Sequence, residues 1–509
     1  MKLFSILMLL VLSSAFASKD SKSYKVAISS SPSNLSPFFS TDANSQNINR
    51  LVHLSLVDFD LQMKPVCRLC TSYEEIRKGA NYSIKFKLRK DIKFWDGAKV
   101  SAKDILASWK YFTETKKIKS IFRFAFGNIK EVKILGDHEV ELVYKSYGLD
   151  HLPNLVLMKI IKVPLYDKVE KVVLKHIVGA GEYKYGLNDS LNVNLISLTK
   201  DLKDLNFVVV KDETTLSLKI LNGEVDLSLA NISPRKISYL EKNGNVSIQK
   251  VSGTNYNYIG LNHKKEIFKD KNFRRGLSLL IPREKIIKYK FKENATISTG
   301  LFSKPFKELY SNKYNDDFNP KLAEELFTKA GMKKVKGKWI DKTGKPIRLL
   351  WKCTNNKFIL ELVAIIKRSY ESAGIEVDLV VQEWGTFLRG LKRGEYDLFV
   401  GKWVGFTGPD MLKFAFHSKN IPPKGANRGY YVNSELDLLL DRAETKNDRD
   451  ERNAIYRDAI DVVNNDYAYI NLWHPSVIWV MNKCLKVEGM YPNGNMLALR
   501  NIKNVCRSR

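Results

Sequence analysis

Between Asn81 and Phe112 the pattern of apolar and polar positions changes period twice. Tyr82 to Leu88, in "YSIKFKL", alternates apolar with polar residues, which is the period-two pattern of a half-buried strand. The turn pair Asp96-Gly97 comes next, and Ser101 with Asp104 three residues later predicts a helix opened by a capping box. Ile105, Leu106, Trp109 and Phe112 then share one helical face. The stretch "KFWDGAKVSAKDILASWKYF" therefore reads as turn and capped amphipathic helix. Trp95, Asp96 and Ser101 each have a local task there and need no catalytic one.

The same alternation of periods runs along the rest of the chain. "SYKVAISSSPSN" predicts a short strand and a turn before a helix-like stretch, and "DLNFVVVKDETTLSLKILNGEVDLSLA" predicts a buried strand, a helix stopped at Gly223 and a second strand from Val225 to Leu229. Such strand-helix-strand units build α/β sheets. "NPKLAEELFTKAGM" reads as a helix with a glycine stop, "WIDKTGKPIRLLW" as a hairpin, and "FILELVAIIKRSYESAGIEVDLVVQEW" as a long helix, Gly374 and a strand. Two more helices and a strand follow from Ser434 to His474. No internal repeat and no low-complexity linker interrupts the chain, so mixed α/β domains joined by short crossings are expected.

Length and composition bound this picture. The chain has 509 residues, 44% hydrophobic and 27% charged, enough for two to four domains with a large core. At the start, Lys2, the apolar run Leu3 to Leu12 and Ala15-Phe16-Ala17 predict a secretory signal peptide cut after Ala17. That run is too short to span a membrane comfortably. The formal net charge of +29 is spread along the chain without a block of like charges or a nucleic-acid-binding motif, so a solvated basic surface is the simplest account, with weak adhesion to anionic surfaces as the alternative. Of the five cysteines, Cys67 and Cys70 form a CxxC with no second CxxC or nearby histidine to complete a zinc site. A structural bridge or two inert thiols are expected there. Cys484 with Cys506 is a plausible staple that leaves Cys353 free, although the pairings stay open at this point.

The remaining motifs carry no recognisable chemistry. HExxH, GxSxG, Walker and GxGxxG patterns do not occur, and none of the seven histidines stands at metal-ligand spacing from another. "GKWIDKTGK" has the wrong spacing for a phosphate loop. No catalytic residue, cofactor or metal is expected, and a secreted hydrolase is kept only as an alternative.

Eight stretches taken in order carry a family resemblance. "NLSPFFSTDANSQNI", "LRKDIKFWDGAKVSAKDILASWKYF", "VGAGEYKY", "DETTLSLKILNGEVDLSLA", "YIGLNHKKEIFKDKNFRRGLSLLIPREKII", "NPKLAEELFTKAG", "AGIEVDLVVQEWGTFLRGLKRGEYDLFVGKW" and "YYVNSELDLLLDRAE" follow one another over nearly all of the mature chain. Together they resemble the extracytoplasmic solute-binding proteins of ABC importers, in the dipeptide- and oligopeptide-binding group. The resemblance implies an α/β fold of two hinged lobes with an extra domain inserted in the first. Residues 18–57, 178–255 and 481–509 would form the first lobe, 58–177 the inserted domain and 256–480 the second lobe. It further implies a monomeric periplasmic receptor that binds a peptide or peptide-like small solute between the lobes and presents it to an ABC permease in the inner membrane, with no nucleic acid involved. A non-peptide organic solute, or a basic adhesion or sensing protein on the same fold, are the alternatives.

Site residues follow from the resemblance one by one. Trp384 in "QEWGTF" and Trp403 in "VGKWVGF" match tryptophans that lie near the peptide in this group. Phe406 stands where peptide receptors usually carry an aspartate for the ligand's α-amino group. Leu391 and Val400 occupy places where oligopeptide binders can carry arginine. Asp410 and Arg428 are the nearest charged substitutes in sequence, and Tyr256 and Asn257 lie at the presumed crossing between lobes.

Overall fold

The strand Ser23–Ile28 shows how the chain assembles its first layer. Val26 and Ile28 enter one apolar cluster and Ala27 another, so both faces are covered. A strand buried on both faces belongs in the middle of a sheet flanked by helices. It pairs in parallel with Asp204–Val209 on one side and Leu227–Ser228 on the other, at the centre of a seven-stranded sheet. The helix Ala43–Val52 covers one face through Ile48, Leu51 and Val52. Helices Glu213–Leu221 and Pro234–Lys242 cover the other through Leu216, Ile220 and Leu240. This layer is the first lobe. The computed structural model describes residues 23–506 except 41, 80, 114–119, 149, 163–177, 190, 230, 231, 244, 315 and 447, so the expected signal peptide lies outside the described residues.

The second lobe repeats the logic. All six residues of the strand Tyr256–Leu261 are buried, Tyr256 and Tyr258 on one face and Ile259 and Leu261 within the cluster on the other. This strand lies inside a six-stranded sheet whose parallel part is Leu398–Trp403, Arg348–Thr354 and Glu376–Gln382. The long helix Lys357–Ala373 starts on the Asn356 side chain, which accepts from Ile359 N, and stops at Gly374 with φ 100°. It buries Leu362, Val363, Ile366 and Tyr370 against that sheet.

A four-stranded antiparallel sheet, from Cys70–Lys78 to Glu139–Tyr144, forms the inserted domain. Its helix Ala102–Thr113 begins as the sequence predicts, with the Asp104 carboxylate accepting from Ser101 N at 2.8 Å and Ser101 Oγ at 3.0 Å. Trp95 leaves the turn and packs edge-on against Tyr185 of the first lobe, 6.3 Å between centroids. Nearby, Arg68 and Arg500 share Glu182 at 2.7 and 2.6 Å. Burial alone would raise the Glu182 carboxyl, but the two guanidiniums outweigh it and hold it below its ordinary range. The inserted domain is thus rooted in the first lobe.

Two short crossings connect the lobes. Val246–Val251 and Val477–Asn482 run antiparallel in the first sheet, and Tyr256–Leu261 and Tyr469–Pro475 run antiparallel in the second. The chain returns to the first sheet at Val477, inside the segment that the resemblance assigns to the second lobe through residue 480; Pro475-Ser476 interrupts an apolar run that reads as continuous. The expected "WIDKTGKPIRLLW" hairpin is present: around the Asp341–Gly344 turn, Asp341 N donates to Lys345 O and Ile347 N to Trp339 O, both at 2.8 Å, and Ile340 bridges Pro346 antiparallel. Lys336 and Gly337, at φ 47° and 80°, add a second turn that brings Lys338–Ile340 back onto Lys333–Val335, and beyond Ile347 the chain continues as Arg348–Thr354 into the large sheet. Disulfides join Cys67 to Cys70 and Cys484 to Cys506, and Cys353 is a buried free thiol.

Two predictions concern stability. A Cβ on Gly253, in the first crossing, would lie 2.1 Å from the Pro475 carbonyl oxygen in the second. Gly253→Ala should therefore cost about 1–3 kcal/mol in urea unfolding, whereas an unchanged midpoint would mean that the crossings are not in contact in solution. Burial also lowers His263 and His474 to about 4, and burial with the Lys159 charge lowers His53 to about 3. Between those values and 6.5 the unfolded chain binds more protons than the folded one, so stability falls as pH drops through that window. Asp410, raised by burial to about 7, opposes this between about 7 and 4, as does Asp226, which burial also raises. The net expectation is a loss of a few kcal/mol between pH 6.5 and 4, at about 1.4 kcal/mol per unit of pKa shift per group; a flat urea-midpoint profile would refute it.

Candidate functional site

The parallel strands Arg348–Thr354 and Leu398–Trp403 end at a crevice, the usual location of ligand sites in α/β sheets. There a cavity of about 680 Å³ opens between the lobes, with Glu213, Ser233 and Pro234 on the first-lobe side and Pro475 and Ser476 of the crossing at its base. Asn257, Asn356, Trp384, Lys402, Arg428 and Trp473 are among the residues that face it from the second lobe.

Local structure explains each position. Trp384 is the first residue of the helix Trp384–Arg393, whose start is capped by Glu383 accepting from Gly385 N at 2.8 Å and Thr386 N at 3.2 Å. Trp384 as a whole is 58% exposed, large for a tryptophan, and its ring stands 5.9 Å from that of Phe387. Lys402 and Trp403 are consecutive in a strand and so point to opposite faces. Lys402 lies opposite Asn257 in the register, while the Trp403 ring turns inward to stack near Tyr258 at 6.1 Å. The Arg428 guanidinium sits 5.3 Å over that Trp403 ring. Lys402 is open to water in the cavity, yet the surrounding protein desolvates it enough to lower its pKa. Glu213 accepts from Ser233 N at 2.9 Å and Ser233 Oγ at 3.2 Å.

The residues singled out in the sequence divide between the cavity and its surroundings. Trp384, Asn257 and Arg428 line it, as do Leu391 and Val400. Trp403, 9% exposed, forms the layer behind Arg428. Tyr256 is buried beneath the sheet and donates its hydroxyl to Asn471 Oδ1. Phe406 is packed between Phe302 and Phe306, at 5.9 and 5.5 Å. Asp410 lines a smaller cavity, about 140 Å³, between the inserted domain and the second lobe. Burial, and then the Asp150 charge, raise its carboxyl to about 7. Lys402 and Glu213 are the charged cavity residues that the sequence pattern does not single out. A lysine one residue before the end of the otherwise apolar strand "LFVGKW" is the available signal for Lys402, whereas Glu213 has the character of an ordinary acid in the first turn of a helix. Among the described residues no group of three or more His, Cys, Asp or Glu is placed to hold a metal ion, and no helix is long and apolar enough to cross a membrane.

Comparison with known proteins agrees with this geometry. The model of the bacterial extracellular solute-binding proteins, family 5 middle region, matches residues 64–421. The oligopeptide-binding protein AppA of Bacillus subtilis is 27% identical over 488 residues, covering 91% of this chain and 88% of the relative. The glutathione-binding protein GsiB of Escherichia coli O157:H7 is 25% identical over 483 residues, covering 91% and 90%. Among solved structures, the substrate-binding protein CtaP of an ABC transporter from Listeria monocytogenes superposes with a TM-score of 0.81 at 19% identity, covering 95% of this chain and 99% of that one. AppA in complex with a nonapeptide gives 0.70 at 23% identity, covering 94% and 98%. The two-lobed fold, the cavity between lobes and the match across residues 64–421 agree: this chain belongs to the bacterial extracellular solute-binding proteins of family 5.

Proposed function

We propose that this protein is a periplasmic receptor which captures a peptide or peptide-like solute between its lobes and hands it to an ABC permease in the inner membrane, after removal of a signal peptide behind Ala17. The observation that carries the reading is the cavity lined by both lobes directly beside the two crossings. A ligand that touches both walls stabilises the closed arrangement because only that arrangement offers both sets of contacts. The names of the relatives AppA and GsiB point to peptides. In this reading Trp384, Asn257 and Arg428 touch the ligand, Trp403 backs Arg428, and the receptor works as a monomer without chemistry of its own. Phe406, Tyr256 and Asp410 contribute through the packing around the site.

A non-peptide solute is the alternative reading, favoured by one observation. Phe406 is enclosed by Phe302 and Phe306, and Glu213, already engaged by Ser233, is the acid that lines the cavity, so a free α-amino group has little to pair with.

Native mass spectrometry of the purified protein should reveal a bound solute from the host, and small-angle scattering should show compaction when ligand is restored after stripping. Absence of both, with a broad peptide set, would refute the receptor reading. Trp384→Ala, at an exposed ring, should weaken binding by about 1–2 kcal/mol, roughly tenfold in Kd, and leave the apo melting temperature nearly unchanged. Trp403→Ala should instead lower apo stability by about 3–5 kcal/mol; equal stability losses in the two variants would contradict the division between cavity wall and packed layer.

A further inference from the structure

We propose that the cavity selects solutes bearing an anionic group, with Lys402 as the main determinant and Arg428 as its helper; the inference deepens the receptor reading and rests on it. The balance of charge in the cavity carries it. Two cations, Lys402 and Arg428, face the cavity, and the acid that faces it, Glu213, is committed to the backbone N–H and hydroxyl of Ser233. Among the described residues no carboxylate lies within salt-bridge distance of either cation. The guanidinium of Arg428 has the face of Trp403 for a neighbour, and the ammonium of Lys402 has no hydrogen-bond partner among the described residues.

Sheltered cations elsewhere in this protein are treated differently. Arg68 is paired with Glu182 at 2.7 Å, and Lys413 with both Asp441 and Glu444 at 3.0 and 2.6 Å. Arg283, without a carboxylate against it, is satisfied by Asn471 O, Ser278 O and Ser278 Oγ at 2.7 to 2.9 Å. A cation in a partly dehydrated cavity without such partners is costly, and a ligand anion supplies them through charge-assisted hydrogen bonds. Desolvation of Lys402, visible as its lowered pKa, makes that pairing stronger than it would be on an open surface.

The two cations flank the end of one strand. Lys402 leaves its outer face, and Arg428 lies over the Trp403 ring on the other. Both line the one cavity, so a carboxylate entering between the lobes can pair with Lys402 while Arg428 adds its charge from the other side of the strand and the rest of the solute lies along Trp384. A cationic group in the same place meets uncompensated like charge. For a peptide, the carboxylate can come from the C-terminus or from an acidic side chain.

The test uses the full mature protein, stripped of ligand, and equimolar random tripeptide pools with free or amidated C-termini. Bound species are read by native mass spectrometry, and individual affinities of captured peptides by calorimetry. Wild type is expected to capture peptides carrying at least one carboxylate. Capture of amidated peptides with Asp or Glu assigns the side chain as the source; capture restricted to free acids assigns the C-terminus. Lys402→Met should weaken the carboxylate-bearing peptide by about tenfold to a hundredfold, with a smaller loss for Arg428→Gln, while Lys402→Arg retains binding and an unchanged apo melting temperature of the Met variant shows that it has not simply misfolded. Equal capture of amidated peptides without acids, or unchanged affinity in Lys402→Met, overturns the anion preference and leaves the receptor reading standing. If neither pool binds, the solute retained from the host decides: a neutral or cationic solute overturns the preference, an anionic one supports it, and no bound solute at all removes the receptor reading along with it.

Discussion

Two antiparallel strands are common property of both sheets, and the rest of the architecture depends on that. Val246–Val251 continues into Tyr256–Leu261, and Tyr469–Pro475 into Val477–Asn482, so the lobes are tied by a ribbon of two backbones and not by a loose linker. At its waist Gly253 lies against the Pro475 carbonyl, Thr254 N donates to Pro492 O at 3.0 Å, and Ser476 N donates to Asn294 O at 3.0 Å. Paired backbones resist sliding and shear of the ladder but permit a change of angle between the sheets. The cavity opens beside this waist because the strands splay into two separate sheets there. Its position is thus a consequence of how the chain crosses.

Much of the fold was legible in the sequence because local rules and tertiary packing agree. The Ser101 and Asp104 pair, the glycine stop at Gly374 and the alternation from Tyr82 to Leu88 all specify what the structure contains. The "WIDKTGKPIRLLW" hairpin is also present, and what its pattern does not show is that a second turn, at Lys336-Gly337, pairs the same short strand with Lys333–Val335 on its other side. Likewise the crossing at Pro475-Ser476 was hidden, since strands buried on both faces leave no alternation to show where one sheet ends and the next begins.

The site was less legible than the fold. Trp384 and Trp403 have the same residue type and similar surroundings in sequence, yet one residue is 58% exposed and the other 9%. That difference is set by which face of a strand or helix end meets the cavity, and single-sequence patterns do not fix it. Phe406 and Lys402 illustrate the two directions of error. Phe406 stands out because the resemblance expects an aspartate there, but it belongs with Phe302 and Phe306, while a lysine among many exposed lysines does not stand out although its neighbourhood is unusual.

The contact between the inserted domain and the second lobe has a mechanical meaning. Lys64 from one side and Arg449 from the other meet on Glu308, at 2.5 and 3.1 Å, and Arg77 and Arg452 both lie over Tyr147. Because the inserted domain is anchored to the first lobe through Trp95 and Arg68, this small ionic clasp spans the same gap that any opening motion must widen. Its charged members are partly exposed, so dissolved ions compete for them. The ease with which the two halves part is therefore tied to the ionic strength of the compartment, quite apart from anything the cavity holds.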